Sequence, residues 1–209
     1  FSDDGAQWIH VTDLDAVAGS YDSESIVEEI VRSAGTSIQL GGGFRSRDRI
    51  EQWIDKGVGR IVIGTLASQD PTLVMEMAQR YPDQIVLAVD VYQGKMMTDG
   101  WRQTGAMEPT DFVKAYEASP LAGIIVTDID ADIGDQDAQL GLISGIAEAT
   151  HHPVIARGTV RSADDVSRIK YVSKISGTLV GRALFSKDVD LVEALELAQP
   201  MPEPKAEFQ

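Results

Sequence analysis

The sequence predicts an α/β fold of the (β/α)8 barrel class, assembled from two similar half-barrels, on two observations. Short β-branched runs alternate strictly with amphipathic stretches, and a block of residues returns after about 115 positions. Alternating strand and helix signals point to a parallel sheet with helices on its faces. A fixed internal period points to duplicated structural units.

The predicted strands are Trp8–Thr12, Ser37–Leu40, Arg60–Ile63, Ile85–Val91, Gly123–Thr127, Pro153–Ala156 and Gly177–Val180. Each is a near-continuous apolar run, as expected of parallel strands covered on both faces. Helical patterns lie between them. In Ser23–Ala34, Ile26 with Ile30 and Val27 with Val31 recur at i,i+4 and form one apolar face. Ser46–Lys56 opens on a residue suited to capping, with Ile50, Trp53 and Ile54 directed inward. Pro71 follows Asp70 in the first turn of the next helix, where proline is tolerated. Further helices are predicted at Thr110–Ala118, Leu140–Ala149, Ser162–Lys170 and Leu191–Ala198. The barrel is expected to occupy residues 1–198, and 199–209, rich in proline and without periodicity, to form a loose tail.

Three correspondences establish the repeat. Val11-Thr12-Asp13-Leu14-Asp15-Ala16 returns 115 residues later as Val126-Thr127-Asp128-Ile129-Asp130-Ala131. Gly42-Gly43-Phe44-Arg45-Ser46 returns as Gly158-Thr159-Val160-Arg161-Ser162, and Ile63-Gly64-Thr65-Leu66 as Val180-Gly181-Arg182-Ala183. The offset suits four βα units. The counterpart of Ile85–Val91 would then precede Phe1, so the first βα unit is expected to be lacking and seven strands present. Such a chain is expected to self-associate through the open barrel edge.

A formal charge of −15 argues against nucleic acid as a partner, because phosphate backbones require clustered Lys and Arg. It leaves room for a small phosphorylated ligand held by backbone N–H groups. No apolar run is long enough to cross a membrane. The absence of cysteine removes disulfides and thiolate metal sites, and fits a cytoplasmic protein. No spacing suggests a metal site.

The candidate site residues stand at strand ends, on the barrel face where active sites form. Gly42 and Gly43 with Gly64 and Thr65, and their repeat partners Gly158 and Thr159 with Gly181 and Arg182, are candidate phosphate-binding residues. Glycine permits close backbone approach to an anion. Tight packing turns are the competing reading. Asp90 closes an otherwise apolar strand and is a candidate for proton transfer, with a structural cap as the alternative. Thr127 can donate a hydrogen bond to substrate, and Asp13 and Asp132 are candidate substrate contacts, although some of these carboxylates are expected to be caps. His10 is read as a packed residue, and His151 and His152 fall at the start of a strand, on the stability face.

Together, Gly5–Asp15, Gln39–Gly43, Ile63-Gly64-Thr65, Val89-Asp90 with Gly100-Trp101, Thr127–Asp130 and Val180–Leu184 resemble the phosphoribosylformimino-AICAR ribotide isomerases of histidine biosynthesis, over almost the whole chain. The resemblance implies a cofactor-free Amadori rearrangement of an aminoaldose carrying two phosphates. It implies that Asp90 is the general acid, that Thr127 assists, and that Trp101 stacks on the substrate. It places the family's second carboxylate on the strand expected to be lacking, so activity is expected to be impaired. Two departures stand out. Asp132-Ile133 replaces Asp-Gly, and Arg157-Gly158-Thr159 replaces Ser-Gly-Gly, with added bulk where a phosphate would approach. The alternatives are a diverged, non-catalytic barrel that binds a phosphometabolite, and a bifunctional isomerase that also accepts phosphoribosyl anthranilate.

Overall fold

The computed structural model describes residues 1–130 and 136–199. Seven parallel strands form one curled sheet in the order β1 (Trp8–Thr12), β2 (Ser37–Gly41), β3 (Arg60–Ile63), β4 (Ile85–Tyr92), β7 (Gly123–Asp128), β8 (Val154–Arg157) and β9 (Ile175–Leu179). This is the architecture of a (β/α)8-type barrel. Two short strands, β5 (Lys95–Thr98) and β6 (Gln103–Thr104), extend β4 as an antiparallel arm. No helix among the described residues is long and apolar enough to cross a membrane.

The arm was not predicted. Its turn, Gln93-Gly94, has positive φ at both residues (50° and 74°), the backbone of a two-residue hairpin. The short helices α1 (Leu14–Ala18), α4 (Thr65–Gln69) and α9 (Arg182–Phe185) were also absent from the sequence reading, since four or five residues carry no periodicity. The remaining helices follow the expected order: α2 (Glu24–Ser33), α3 (Arg47–Asp55), α5 (Pro71–Arg80), α6 (Pro109–Ala115), α7 (Gln136–Ala147), α8 (Ala163–Lys170) and α10 (Leu191–Ala198). Of the expected tail, residues 200–209 lie outside the described residues.

Burial grades across the sheet. β4 and β7 are buried along most of their length, whereas most residues of β1 and β9 are half-exposed. The expectation of cover on both faces therefore holds for the central strands and fails at β1 and β9, each paired on one side among the described residues. Two layers of apolar side chains result. The outer layer joins sheet to helices through residues such as Ile38, Leu87, Trp53, Met77 and Tyr116. A smaller inner cluster, Val62, Val86, Ala122 and Ile125 with Ala88, Ile155 and Leu179, fills the barrel interior beneath the strand ends.

The half-barrel repeat is visible in backbone angles. Gly64 and Gly181 have φ/ψ of −105°/−89° and −112°/−102° at equivalent strand-to-helix junctions. Ser46 and Ser162, the N-caps of α3 and α8, have −151°/160° and −144°/168°. Equal local geometry at corresponding positions is what duplicated βα units require.

Candidate active site

The carboxyl ends of β1 to β4, the β5–β6 arm and Arg157 of β8 surround a cleft of about 290 Å³. It contains Gly42, Gly43, Gly64, Thr65, Asp90 and Trp101 from the sequence-predicted set.

Asp90 stands near the end of β4, where strand pairing sets it beside Thr127 of β7. Its Oδ2 accepts the Trp101 indole N–H at 2.8 Å, while Oδ1 is buried without a hydrogen-bond partner. The Thr127 hydroxyl is likewise buried and unpartnered. Such groups are uncommon in folded proteins and concentrate where a ligand completes them. Here two occur on adjacent strands in one register.

Trp101 reaches Asp90 because of an unusual loop. Asp99, Gly100 and Trp101 all have positive φ (53°, 59° and 69°), a conformation that costs non-glycine residues about 1–3 kcal/mol each. Two tethers hold it: the Trp101–Asp90 bond, and the Asp99 N–H donated to the Thr65 hydroxyl at 2.8 Å. The Thr65 oxygen is thus engaged by the loop.

The glycines of the first half serve packing at least as directly as any ligand. A Cβ on Gly42 would lie 2.3 Å from the Asp13 carbonyl oxygen, and one on Gly43 would lie 2.6 Å from the Ala16 Cβ. Both residues have positive φ, and they seat the β2–α3 loop against α1. Asp13 organises the same contact from the other side. It is buried, caps α1 by accepting Ala16 N–H at 2.9 Å, and accepts the Ser23 hydroxyl at 2.7 Å. It does not line the cleft.

The second-half candidates lie apart. Gly158 and Thr159 follow β8, and Gly181 and Arg182 open α9, none of them on the cleft surface. Thr159 is 3% exposed and its hydroxyl pairs with that of Thr178 at 3.3 Å. Asp132 lies outside the described residues.

Two cleft residues were missed as site residues. His10 was read as packed, yet its ring lines the cleft. Its Nδ1 pairs with Gln39 Nε2 at 3.1 Å and its Nε2 with the Thr12 hydroxyl at 3.0 Å. Burial, aided by the positive charge of Arg157, pushes its pKa down to about 4, so the ring is neutral at pH 7. The signal was available: Trp8, His10 and Thr12 alternate with Ile9 and Val11, which puts the polar pair on one face. Arg157 ends β8 in register with Thr127 and lines the cleft.

On the opposite face, Glu117, His151 and His152 bring potential metal-ligand atoms within 4.8 Å of one another. The Glu117 carboxylate is already occupied there, accepting from the Thr150 hydroxyl at 2.8 Å and from the His151 N–H at 3.0 Å, with the His151 ring alongside.

The profile of the family described as "Histidine biosynthesis protein" matches residues 1–190. Among curated proteins, the 1-(5-phosphoribosyl)-5-((5-phosphoribosylamino)methylideneamino) imidazole-4-carboxamide isomerase 1 of Ruegeria sp. strain TM1040 is 61% identical over 208 residues, 100% of this chain and 84% of the relative. The corresponding isomerase 2 of Ruegeria pomeroyi is 58% identical over 98% of this chain and 83% of its own. That of Jannaschia sp. strain CCS1 is 39% identical over 93% and 82% respectively.

Proposed function

The chain belongs to the histidine biosynthesis protein family, and on that premise we propose that it is an isomerase converting the bis-phosphorylated aminoaldose of its relatives' names into the aminoketose. The observation that carries the assignment is the pair of buried, unpartnered oxygens, Asp90 Oδ1 and Thr127 Oγ1, on neighbouring strands, Asp90 lining the cleft and Thr127 beside it in register.

The reaction is an internal redox rearrangement. The ribosyl ring oxygen gains a proton as its bond to C1 breaks and C1 becomes an iminium. C2 then loses a proton to give the enolamine. C1 gains a proton as the C2 hydroxyl loses one, leaving a ketone at C2 and an amine at C1. Asp90 is the group we assign to the ring oxygen, with Oδ1 as the atom that carries the proton. Thr127 donates to a substrate oxygen beside it. Trp101 covers the ligand, its indole leaving the Asp90 carboxylate for the substrate face. Gly42, Gly43, Gly64 and Thr65 hold one phosphate through backbone N–H groups, and Gly158, Thr159, Gly181 and Arg182 lie at the equivalent place in the other half.

A second reading, a barrel that binds a phosphometabolite without turnover, is favoured by Thr159, whose side chain occupies the position of a family glycine. Incubation with the aminoaldose, followed by absorbance and by NMR of C1 and C2, separates the two. Appearance of the ketone supports the isomerase. Saturable binding without ketone supports the second reading.

A further inference from the structure

The row formed by Asp90, Thr127 and Arg157 extends beyond the oxygens assigned above. Register pairing continues from Asp90 to Thr127 and from Thr127 to Arg157, so the three residues stand side by side at the ends of β4, β7 and β8. With strands about 4.8 Å apart, the Cα atoms of Asp90 and Arg157 are separated by roughly 10 Å, within the span of one ligand. Both line the cleft.

Arg157 differs from the cleft's other guanidinium. Arg45 is committed, donating to the carbonyls of Ala16 and Val17 at 2.9 and 2.8 Å. The Arg157 guanidinium makes no hydrogen bond or ion pair among the described residues, despite five available donors. Asp90 and Asp99 are the cleft's acidic side chains, and Arg157 is paired with neither. Two residues further on, Thr159 is buried and its hydroxyl pairs with that of Thr178 at 3.3 Å.

We propose that Arg157 is a specificity-determining residue whose guanidinium, at the end of β8 and on the cleft, holds a phosphate group of the ligand through paired N–H···O bonds. A planar fork of donors suits a phosphate oxyanion better than a single ammonium does. The proposal rests on the isomerase reading for the identity of the phosphorylated ligand. The cation also keeps a proton off His10, so an anion bound to Arg157 weakens that effect and draws the His10 titration upward.

The test uses the full chain, inorganic phosphate as probe, and the imidazole Cε1–H signal of His10 in two-dimensional NMR, with acetate as the comparison anion. Phosphate should bind saturably and raise the His10 titration midpoint. In Arg157→Gln the affinity should fall at least tenfold, and the His10 midpoint should be raised before any phosphate is added. Arg157→Lys, which keeps the charge and loses the fork, should fall between them while His10 stays near its original midpoint. Unchanged phosphate affinity in Arg157→Gln, with a native circular dichroism spectrum, would overturn the proposal. Acetate binding as tightly as phosphate through Arg157 would overturn the phosphate assignment. Turnover keeps the two readings separate. Isomerisation with an unchanged KM in Arg157→Gln defeats this proposal alone. Phosphate capture by Arg157 without any isomerisation defeats the isomerase reading alone.

Discussion

Replacement of Asp13 by alanine should destabilise the protein strongly while sparing the chemistry. The carboxylate is 5% exposed, and its Oδ1 accepts both the Ala16 N–H and the Ser23 hydroxyl. Loss of an N-cap costs about 1 kcal/mol. The Ser23 hydroxyl, left without its partner in a part-buried position, adds about 1–3 kcal/mol, giving about 2–4 kcal/mol in total. For a chain of 209 residues that corresponds to a fall in Tm of about 5–15 °C. Asp13→Asn keeps the accepting oxygen and exchanges only the unpartnered Oδ2, so it should stay within about 1 kcal/mol of wild type. Urea unfolding followed by circular dichroism measures both, alongside KM for the aminoaldose at a temperature where both variants are folded. An Asp13→Ala variant within about 0.5 kcal/mol of wild type would refute the capping argument. A raised KM in a stable Asp13→Asn variant would restore the carboxylate to the substrate site.

Gly43→Ala should cost about 2–4 kcal/mol, from a left-handed backbone (φ 69°) and a methyl 2.6 Å from Ala16 Cβ. Gly57→Ala shares a positive φ of 93° but meets nothing within 4 Å, so it should cost only about 1–2 kcal/mol. Equal midpoints for the two in urea would show that packing against α1 plays no part. Because the folded pKa of His10 lies at about 4 against 6.5 for the free side chain, the unfolded chain takes up the proton first as pH falls. Stability should therefore decline between pH 6.5 and about 4, and His10→Gln should flatten that limb of the urea-midpoint profile. An unaltered slope would contradict the buried, neutral ring.

Much of the fold was legible because its signals are periodic. Apolar runs marked the central strands, and the return of Gly42-Gly43 as Gly158-Thr159 and of Gly64 as Gly181 exposed the duplication. Elements without a period escaped, namely the β5–β6 arm and the short helices that start at strand ends. The cleft was legible where a carboxylate interrupts an apolar strand, as at Asp90. Asp13 shows the limit, since a carboxylate at a strand end reads identically whether it faces a ligand or caps the next turn. Only the position of Ser23, ten residues away and folded back onto Asp13, separates the two. His10 and Arg157 were undervalued for the opposite reason: each depends on a neighbour from a distant strand, and sequence spacing carries no trace of their electrostatic coupling.

The isomerase account is tested most directly by kcat for the aminoaldose in Asp90→Asn beside wild type. The asparagine carbonyl can still accept the Trp101 indole N–H, so fold and loop should be retained while the transferable proton is lost. A fall in kcat of about 10²–10⁴-fold, with the urea midpoint unchanged, is predicted. Turnover of Asp90→Asn at the wild-type rate would contradict it.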